Sequence, residues 1–332
     1  MRNNSSLDSR IPCALTDNNI KLPILDITHP YFISSIDETT FRLKCAEAAA
    51  KADSSKKMPG FLKGFIRKMF NLENTYMSGM CTFLYKLGPA LLKGRKIRLW
   101  DKLVSKQYTS MAIRFRLKEI CRLQAEILMQ TLKVSPEKNL CFINIAGGTA
   151  ADNINTLILI QEEDSELLKG RKIEINILDL DSFGPNFAER CINVLKSPGQ
   201  RFGRLDISVR IIPYDWSNSE KLAMLMQERS EWIQICSSEG GLFEYGSDAE
   251  IIDNLNQLYL NSPIDMKITG SLVFTKENVN PGFLAGAELL GINMNFLGLT
   301  GLKRILAQTK WVLESTQDIE AIYVVFTLRK RQ

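Results

Sequence analysis

With 332 residues, 45% of them hydrophobic and 24% charged, the chain has an ordinary globular composition that suits one large or two modest domains. The formal net charge of +5 is too mild to indicate nucleic-acid binding, and a single histidine, His29, excludes a histidine-rich metal site. The seven cysteines are odd in number and contain no C-x-x-C pair, which argues against a disulfide framework or structural zinc and favours a reduced, cytoplasmic chain.

The N-terminal residues, MRNNSSLDSRIPCALTDNN, are polar and contain no apolar signal core. No unbroken apolar run of about 18 residues follows, so we expect no stable membrane insertion. From about residue 37 to 133 the apolar residues recur with a helical period. The predicted helices are FRLKCAEAAAKA (41–52), FLKGFIRKMF (61–70), TYMSGMCTFLYKLG (75–88, closed by Gly88-Pro89) and a long helix over 105–134 that Ser135-Pro136 ends.

Strands and helices alternate from residue 139 onward. The predicted strands are LCFINIA (140–146), IEINILDLD (173–181), LDISVRIIPYD (205–215), EWIQICSS (231–238), KITGSLVFT (267–275), WVLES (311–315) and AIYVVFTLRK (321–330). The predicted helices between them cover 155–170, 185–197, 219–230, 247–261 with Ser247 as its cap, and 299–309. This repetition indicates a parallel sheet with helices on both faces. Only TQDIE separates the last two strands, which permits a hairpin and makes the seventh strand antiparallel.

Polar and small residues follow the first four of these strands. The segments are NIAGGTA (144–150), INILDLDSFGP (175–185), RIIPYDWSN (210–218) and ICSSEGGLFEYGSD (235–248). In an α/β sheet, ligands bind outside the carboxyl ends of the strands. The four segments are therefore expected to meet around one ligand.

In its β-α units, final hairpin and altered glycine turn, the chain from 139 to 330 resembles class I S-adenosylmethionine (SAM)-dependent methyltransferases. The resemblance implies a Rossmann-like, seven-stranded, mostly parallel sheet with an antiparallel last strand and an all-helical N-terminal cap. It implies a helical cap or substrate segment over residues 1–135 and a SAM-binding domain over residues 136–332. The cofactor it implies is SAM.

The resemblance also assigns roles at the first strand end. Asn144 stands where the family has an acidic residue, and Ala146, Gly147, Gly148 and Thr149 form the turn beside the methionine and ribose. Of the three glycines in the family pattern G-x-G-x-G, only Gly148 remains. SAM has no pyrophosphate, so the turn need only let backbone approach the ligand.

The other three segments supply the remaining predicted contacts. Asp179, with Asp181 in reserve, would accept the ribose hydroxyls, and a carboxylate there disfavours NADP. The further cofactor contacts predicted are Leu180, Phe183, Tyr214, Asp215, Trp216, Ser237 and Ser238. Asp215 would face the adenine amino group, and the aromatic residues offer faces to the adenine or to the cationic sulfur.

Glu239, Tyr245 and Asn144 are the predicted catalytic residues, with no metal. Asp215, Glu244 and His29 are further candidate bases, and the sequence does not choose among them. Tyr76, Met77, Met80, Tyr85 and His29 are candidates to line the cap. The basic run KKMPGFLKGFIRKMF (56–70) is interpreted as a solvated cap helix in preference to a contact with an anionic membrane or substrate.

The leading functional hypothesis is methyl transfer from SAM to a small-molecule acceptor, in small-molecule biosynthesis. The alternative is intramolecular cyclisation of SAM alone, of the azetidine-2-carboxylate synthase type, which releases 5′-methylthioadenosine. A non-catalytic SAM-binding module is the lesser alternative. DNA amino-methylation is disfavoured because SSEG stands where that branch carries [N/D]-P-P-[Y/F], so no nucleic-acid partner is expected. A homodimer is compatible with all of these.

Overall fold

The computed structural model describes residues 11–52, 78–93 and 97–331. The predicted helix at 61–70, the rest of the basic run 56–70, and Tyr76 and Met77 lie outside the described residues. Within the described ranges, no helix combines the length and apolar character needed to cross a bilayer.

The described strands form a two-stranded hairpin and one seven-stranded sheet. They are β1 (Cys13–Leu15), β2 (Lys21–Pro23), β3 (Leu140–Ile145), β4 (Lys172–Asp179), β5 (Asp206–Pro213), β6 (Ile233–Ser238), β7 (Lys267–Val273), β8 (Trp311–Ile319) and β9 (Tyr323–Lys330).

The described helices flank the sheet or precede it. They are α1 (Pro30–Ile33), α2 (Glu38–Lys51), α3 (Gly79–Leu92), α4 (Leu99–Val104), α5 (Tyr108–Val134), α6 (Ala151–Glu163), α7 (Phe183–Leu195), α8 (Glu220–Glu228), α9 (Leu242–Tyr245), α10 (Asp248–Asn261), α11 (Pro281–Leu290) and α12 (Gly298–Leu306). A 3-10 turn, Ser165–Leu168, follows α6.

The sheet has the order β5-β4-β3-β6-β7-β9-β8. The first five of these strands run parallel, and β9 lies antiparallel between β7 and β8. The predicted Rossmann-like sheet with an antiparallel last strand is therefore confirmed. Because the order reverses direction beside β3, the carboxyl ends of β3, β4 and β6 border a crevice where such folds bind ligands.

Burial explains why the central strands formed as predicted. Every residue of β3 and of β6 is buried, as expected for parallel strands covered on both faces. The long helix α5 packs on α6 and reaches β6, β7 and β9. Helix α10 begins with the predicted cap, where the Ser247 hydroxyl accepts from the Glu250 amide and the Glu250 carboxylate accepts from the Ser247 amide.

Several features differ from the sequence prediction, among them the short helices α1, α4 and α9, which were not predicted, and β8, which continues to Ile319. Helix α3 does not end at Gly88-Pro89 but resumes beyond it, because Gly88 takes a φ of +75° that only kinks the chain. Helix α11 was missed since its two internal glycines, Gly282 and Gly286, weaken the helical signal. The N-terminal region is not all-helical: it contains the β1–β2 hairpin, whose three-residue strands are too short to show an alternating pattern.

Candidate functional site

A cavity of about 900 Å³ opens at the carboxyl ends of β3, β4 and β6 and is covered by the β1–β2 hairpin and the first turns of α3. The residues that line it are Thr16, Asn18, Ile20, Leu22, Ser78, Gly79, Met80, Cys81, Thr82, Leu84, Lys86, Ile97, Arg98, Asp101, Ala146, Gly147, Gly148, Asp179, Leu180, Asp181, Phe183, Tyr214, Trp216, Glu239, Gly240, Gly241 and Tyr245. Most of the predicted contact residues are among them. Asn144, Thr149, Asp215, Ser237 and Ser238 are not.

The turn after β3 keeps a left-handed backbone where the family pattern has glycine. Ala146, Gly148 and Ala150 have φ values of +54°, +59° and +45°. Alanine in this region is strained, by roughly 1 kcal/mol. The Asn144 side chain supports the turn, because its Oδ1 accepts from the Gly147 amide at 2.9 Å. The turn thus retains the glycine-type shape at two positions that carry a methyl group.

Gly148 is also where the N-terminal ends of two helices meet the turn. A Cβ placed on Gly79, the first residue of α3, would lie 2.7 Å from the Gly148 Cα. A Cβ on Gly184, in the first turn of α7, would lie 3.0 Å from the Gly148 carbonyl carbon. The backbones approach this closely only because no side chain stands between them.

Asp179 and Asp181 lie side by side at the end of β4. The Asp179 carboxylate accepts from the Gly148 amide at 3.1 Å and from the Asp181 amide at 2.9 Å. Burial raises the pKa of Asp179, and these two hydrogen bonds oppose that rise. Asp181 accepts at 2.9 Å from the amide of Phe183, the first residue of α7. One carboxylate therefore shapes the turn while both face the cavity.

The end of β5 presents aromatic rings to the cavity. Tyr214 and Trp216 line it, and the Tyr214 hydroxyl donates to Asn254 Oδ1 at 2.5 Å, which fixes the ring. Asp215, which stands between them, is exposed and accepts from the Ser217 amide at 2.9 Å, a bond that lowers the pKa of Asp215. Its carboxylate is thus engaged in a local turn.

Beneath the turn lies a buried polar layer that contains the predicted residues Asn144 and Ser237. Asn144 is fully buried, and its Nδ2 donates to Asp152 Oδ1 at 3.0 Å and to Asn153 Oδ1 at 2.9 Å. Gln124 Nε2 donates to the other oxygen of Asp152 at 3.3 Å. Burial raises the pKa of Asp152. In this structure Asn144 does not line the cavity, and it supports the turn through its hydrogen bond with the Gly147 amide.

The other predicted residues outside the cavity have local roles. The Ser238 hydroxyl accepts from the Leu242 amide at 2.9 Å, and Thr149 is buried within the turn. His29 accepts through Nδ1 from the Tyr31 amide at 3.2 Å and caps α1. Of the proposed cap contacts that the structure describes, Met80 lines the cavity, whereas Tyr85 is buried in α3.

A buried charged cluster surrounds Glu239. Lys86 of α3 donates a hydrogen bond from Nζ to Glu239 Oε2. Arg116 of α5 donates to Glu239 Oε1 through Nε at 3.0 Å and through Nη2 at 2.9 Å. Arg116 Nη1 also donates to Glu244 Oε1 at 2.8 Å. The Arg116 guanidinium lies over the Tyr323 ring, 4.4 Å from its centroid. The cluster joins helices α3 and α5 to the loop after β6.

The pKa shifts in this cluster follow from burial and from the charges it holds. Burial alone would lower the pKa of Arg116, but Glu244 and Glu239 outweigh it and raise that pKa. Burial raises the pKa of Glu244 despite the adjacent Arg116. Tyr245 lines the cavity, half-buried, and burial raises its pKa too. The tyrosine is therefore neutral at pH 7.

The sequence prediction missed Lys86, Arg116 and Asp152. Arg116 could have been noticed, because it interrupts an apolar face of α5 that includes Ala112, Ile113 and Ile120. Lys86 could have been noticed too, because it is the only charged residue of GMCTFLYKLGPALL, whereas Asp152 carries no comparable signal.

No protein-family model and no curated protein matches the sequence. Among solved structures, a possible exported protein from Bordetella parapertussis aligns with 92% of this chain and 98% of its own, at a TM-score of 0.53 and 12% identity. An O-methyltransferase family 2 protein from Planctomyces limnophilus, in complex with apigenin, aligns over 96% and 99% at a TM-score of 0.38 and 10% identity. OxaC, in complex with sinefungin and meleagrin, aligns with 57% of this chain and 43% of its own, at a TM-score of 0.39 and 15% identity. At 12% identity, the likeness to the Bordetella structure concerns the fold alone.

Proposed function

We propose that this protein binds SAM in the cavity and transfers its methyl group to a small-molecule acceptor. The observation that carries the proposal is the pairing of the left-handed turn at Ala146–Gly148 with Asp179 at the carboxyl ends of adjacent strands. A backbone turn open to a ligand, beside a carboxylate that can accept two hydroxyl groups, fits a nucleoside that carries no pyrophosphate.

The remaining lining fits the same ligand. The cavity, at about 900 Å³, is large enough for a cofactor and a small acceptor together. Four carboxylate residues but only two cationic residues line it among the described residues. This formal excess of negative charge suits a sulfonium ligand. Tyr214 and Trp216 offer faces to the adenine, and Phe183 and Tyr245 offer faces to the sulfonium.

The chain's own contribution to methyl transfer is alignment and exclusion of water. When bound, SAM supplies a methyl group already activated by the sulfonium. Asp179 would hold the ribose, the turn would hold the methionyl part, and α3 with the β1–β2 hairpin would separate the reacting atoms from solvent. Neutral Tyr245 would offer a hydroxyl to the acceptor.

Calorimetric titration tests the binding step. Wild-type protein should bind SAM and S-adenosylhomocysteine, and Asp179→Asn should weaken both by roughly 10–100-fold, because a bond to a charged group is worth about 1.5–3 kcal/mol. The matched control is Asp206→Asn. Asp206 is exposed and is the first residue of β5, at the edge of the sheet opposite the cavity. Wild-type protein that binds neither nucleoside, while melting as a folded protein, would refute the proposal and favour a non-catalytic module of another kind.

Cyclisation of SAM alone is the second candidate. The observation that favours it is that both oxygens of Glu239 are already engaged, one by Lys86 and one by Arg116. A proton taken from an acceptor would therefore compete with these two cations for Glu239. Incubation with SAM alone separates the two reactions: release of 5′-methylthioadenosine supports cyclisation, and intact SAM after hours excludes it.

A further inference from the structure

Lys86 is a buried cation in the wall of the cavity. Its side chain is 3% exposed, and it projects from α3 toward the loop after β6. The other cationic residue in the described lining is Arg98, which donates to both carboxylate oxygens of Asp101 at 2.9 and 3.2 Å. Arg98 is thus matched by a carboxylate from its own segment, whereas Lys86 shares its carboxylate with Arg116.

The ammonium of Lys86 has unused hydrogen-bonding capacity. Within the described parts of the chain its one hydrogen bond goes to Glu239 Oε2. An ammonium carries three N–H donors, and donors buried without partners cost free energy. Arg116 holds the other oxygen of Glu239 with two donors, so Glu239 cannot turn to serve Lys86 further. The remaining donors of Lys86 are thus available to an acceptor that enters the cavity.

We propose that Lys86, oriented by Glu239, forms a subsite that binds a ligand carboxylate. A carboxylate is preferred to a phosphate because the cluster of Lys86, Arg116, Glu239 and Glu244 is formally neutral, and a dianion beside Glu239 would be repelled. The carboxylate has two sources that share this chemistry: the methionyl end of SAM, or an acidic acceptor. The first source rests on the proposed function, and the second does not.

If the carboxylate belongs to the acceptor, the transfer needs no base. A carboxylate oxygen forms the new bond to the methyl carbon with its own electron pair, while the S–CH₃ bond breaks and its electron pair remains on sulfur. The charges of the carboxylate and the sulfonium cancel, and no proton moves. This agrees with a site in which both oxygens of Glu239 are held by cations.

Binding measurements on Lys86→Met distinguish the two sources. The ligands are S-adenosylhomocysteine, 5′-methylthioadenosine (which lacks the amino-acid end), and benzoate with and without saturating S-adenosylhomocysteine. Lys93→Met, at the exposed C-terminal end of the same helix, is the control. If the methionyl carboxylate is bound, wild type prefers S-adenosylhomocysteine to 5′-methylthioadenosine by tenfold or more, and Lys86→Met abolishes that preference. If an acceptor carboxylate is bound, Lys86→Met leaves the nucleoside affinities unchanged and weakens benzoate by tenfold or more.

An unchanged nucleoside preference together with unchanged benzoate affinity in Lys86→Met overturns the proposal. Wild type that binds neither nucleoside refutes the proposed function, and the benzoate measurement then decides the subsite alone. Should Lys86→Met fail to fold, the same ligands are applied to the double variant Lys86→Met/Glu239→Gln, which removes the uncompensated carboxylate together with the cation. The outcomes that support or overturn the proposal are then the same.

Discussion

Replacing Asn144 by aspartate would restore the acidic residue of the family pattern, yet we expect it to destabilise this chain. The Asn144 Nδ2 donates to Asp152 Oδ1 at 3.0 Å, at a position with no solvent exposure. In Asn144→Asp a carboxylate oxygen would take the place of that donor. Two buried carboxyl groups would then face each other, and ionising both of them would be costly.

The expected loss is about 3–5 kcal/mol, the cost of an uncompensated charge in a buried network. With an unfolding entropy near 2.1 cal/mol/K per residue, this lowers the Tm of a 332-residue chain by about 4–7 °C. The loss should grow as pH rises. The pKa of Asp152 is already raised by burial, so its contribution to stability falls as pH rises through its folded pKa. A second carboxylate at 144 would strengthen that trend.

Urea unfolding of wild type, Asn144→Asp and Asn144→Asp/Asp152→Asn at pH 5 and pH 8 tests this reasoning. The double variant exchanges the donor and the acceptor, so it should recover most of the lost stability and lose the steeper pH dependence. Asn144→Asp that is as stable as wild type at pH 8, or a double variant that is no better than the single one, would show that the reasoning is wrong.

Three further predictions concern the same region. Ala146→Gly should raise the free energy of unfolding in urea by about 0.5 kcal/mol, because it relieves a left-handed alanine at the cost of a more flexible unfolded chain; a destabilised variant would mean that the methyl group packs usefully. Gly79→Ala should lower the free energy of unfolding by about 1–3 kcal/mol and weaken SAM binding, because its Cβ would lie 2.7 Å from the Gly148 Cα. Gly286→Ala, at a helical site with open space around it, should raise the free energy of unfolding by about 0.5–1 kcal/mol. Thermal melts that rank the two variants in the opposite order would contradict the close approach of Gly79 to Gly148. Arg116→Met should cost about 3–5 kcal/mol, more at pH 8 than at pH 5 because it leaves buried Glu244 without a cation and Glu239 with Lys86 alone, and equal losses at both pH values would exclude that cause.

The sheet could be predicted from the sequence because its strands carry local signals. Continuous apolar runs such as β3 indicate buried parallel strands. The sequence leaves too few residues between the last two strands for a crossover, although β8 extends through most of TQDIE, to Ile319. The strand ends were informative for the same reason: parallel strands in one sheet bring their carboxyl ends together, so Asp179 and the turn at Gly148 were expected near each other, and the Asp179 carboxylate accepts from the Gly148 amide. Features that depend only on the order of the strands can therefore be predicted from the hydrophobic pattern of the sequence.

The parts that were missed depend on contacts distant in sequence. Lys86 is separated from Glu239 by 153 residues and Arg116 by 123, so no local pattern links them. The role of Asn144 depends on Asp152, a residue whose burial arises from α5 and not from its own helix alone. The kink at Gly88 is a further case, because a Gly-Pro pair can end a helix or bend it, and only packing decides.

The long helix α5 is also part of the buried polar layer beneath the turn. Gln124, in the middle of this helix, donates to Asp152 of α6 and to Thr269 of β7, and its oxygen accepts from Asn153. A protein cut between α5 and β3 would lose these three hydrogen bonds at once. The sheet should therefore not be separable from α5 without disturbing the interior beneath the cavity.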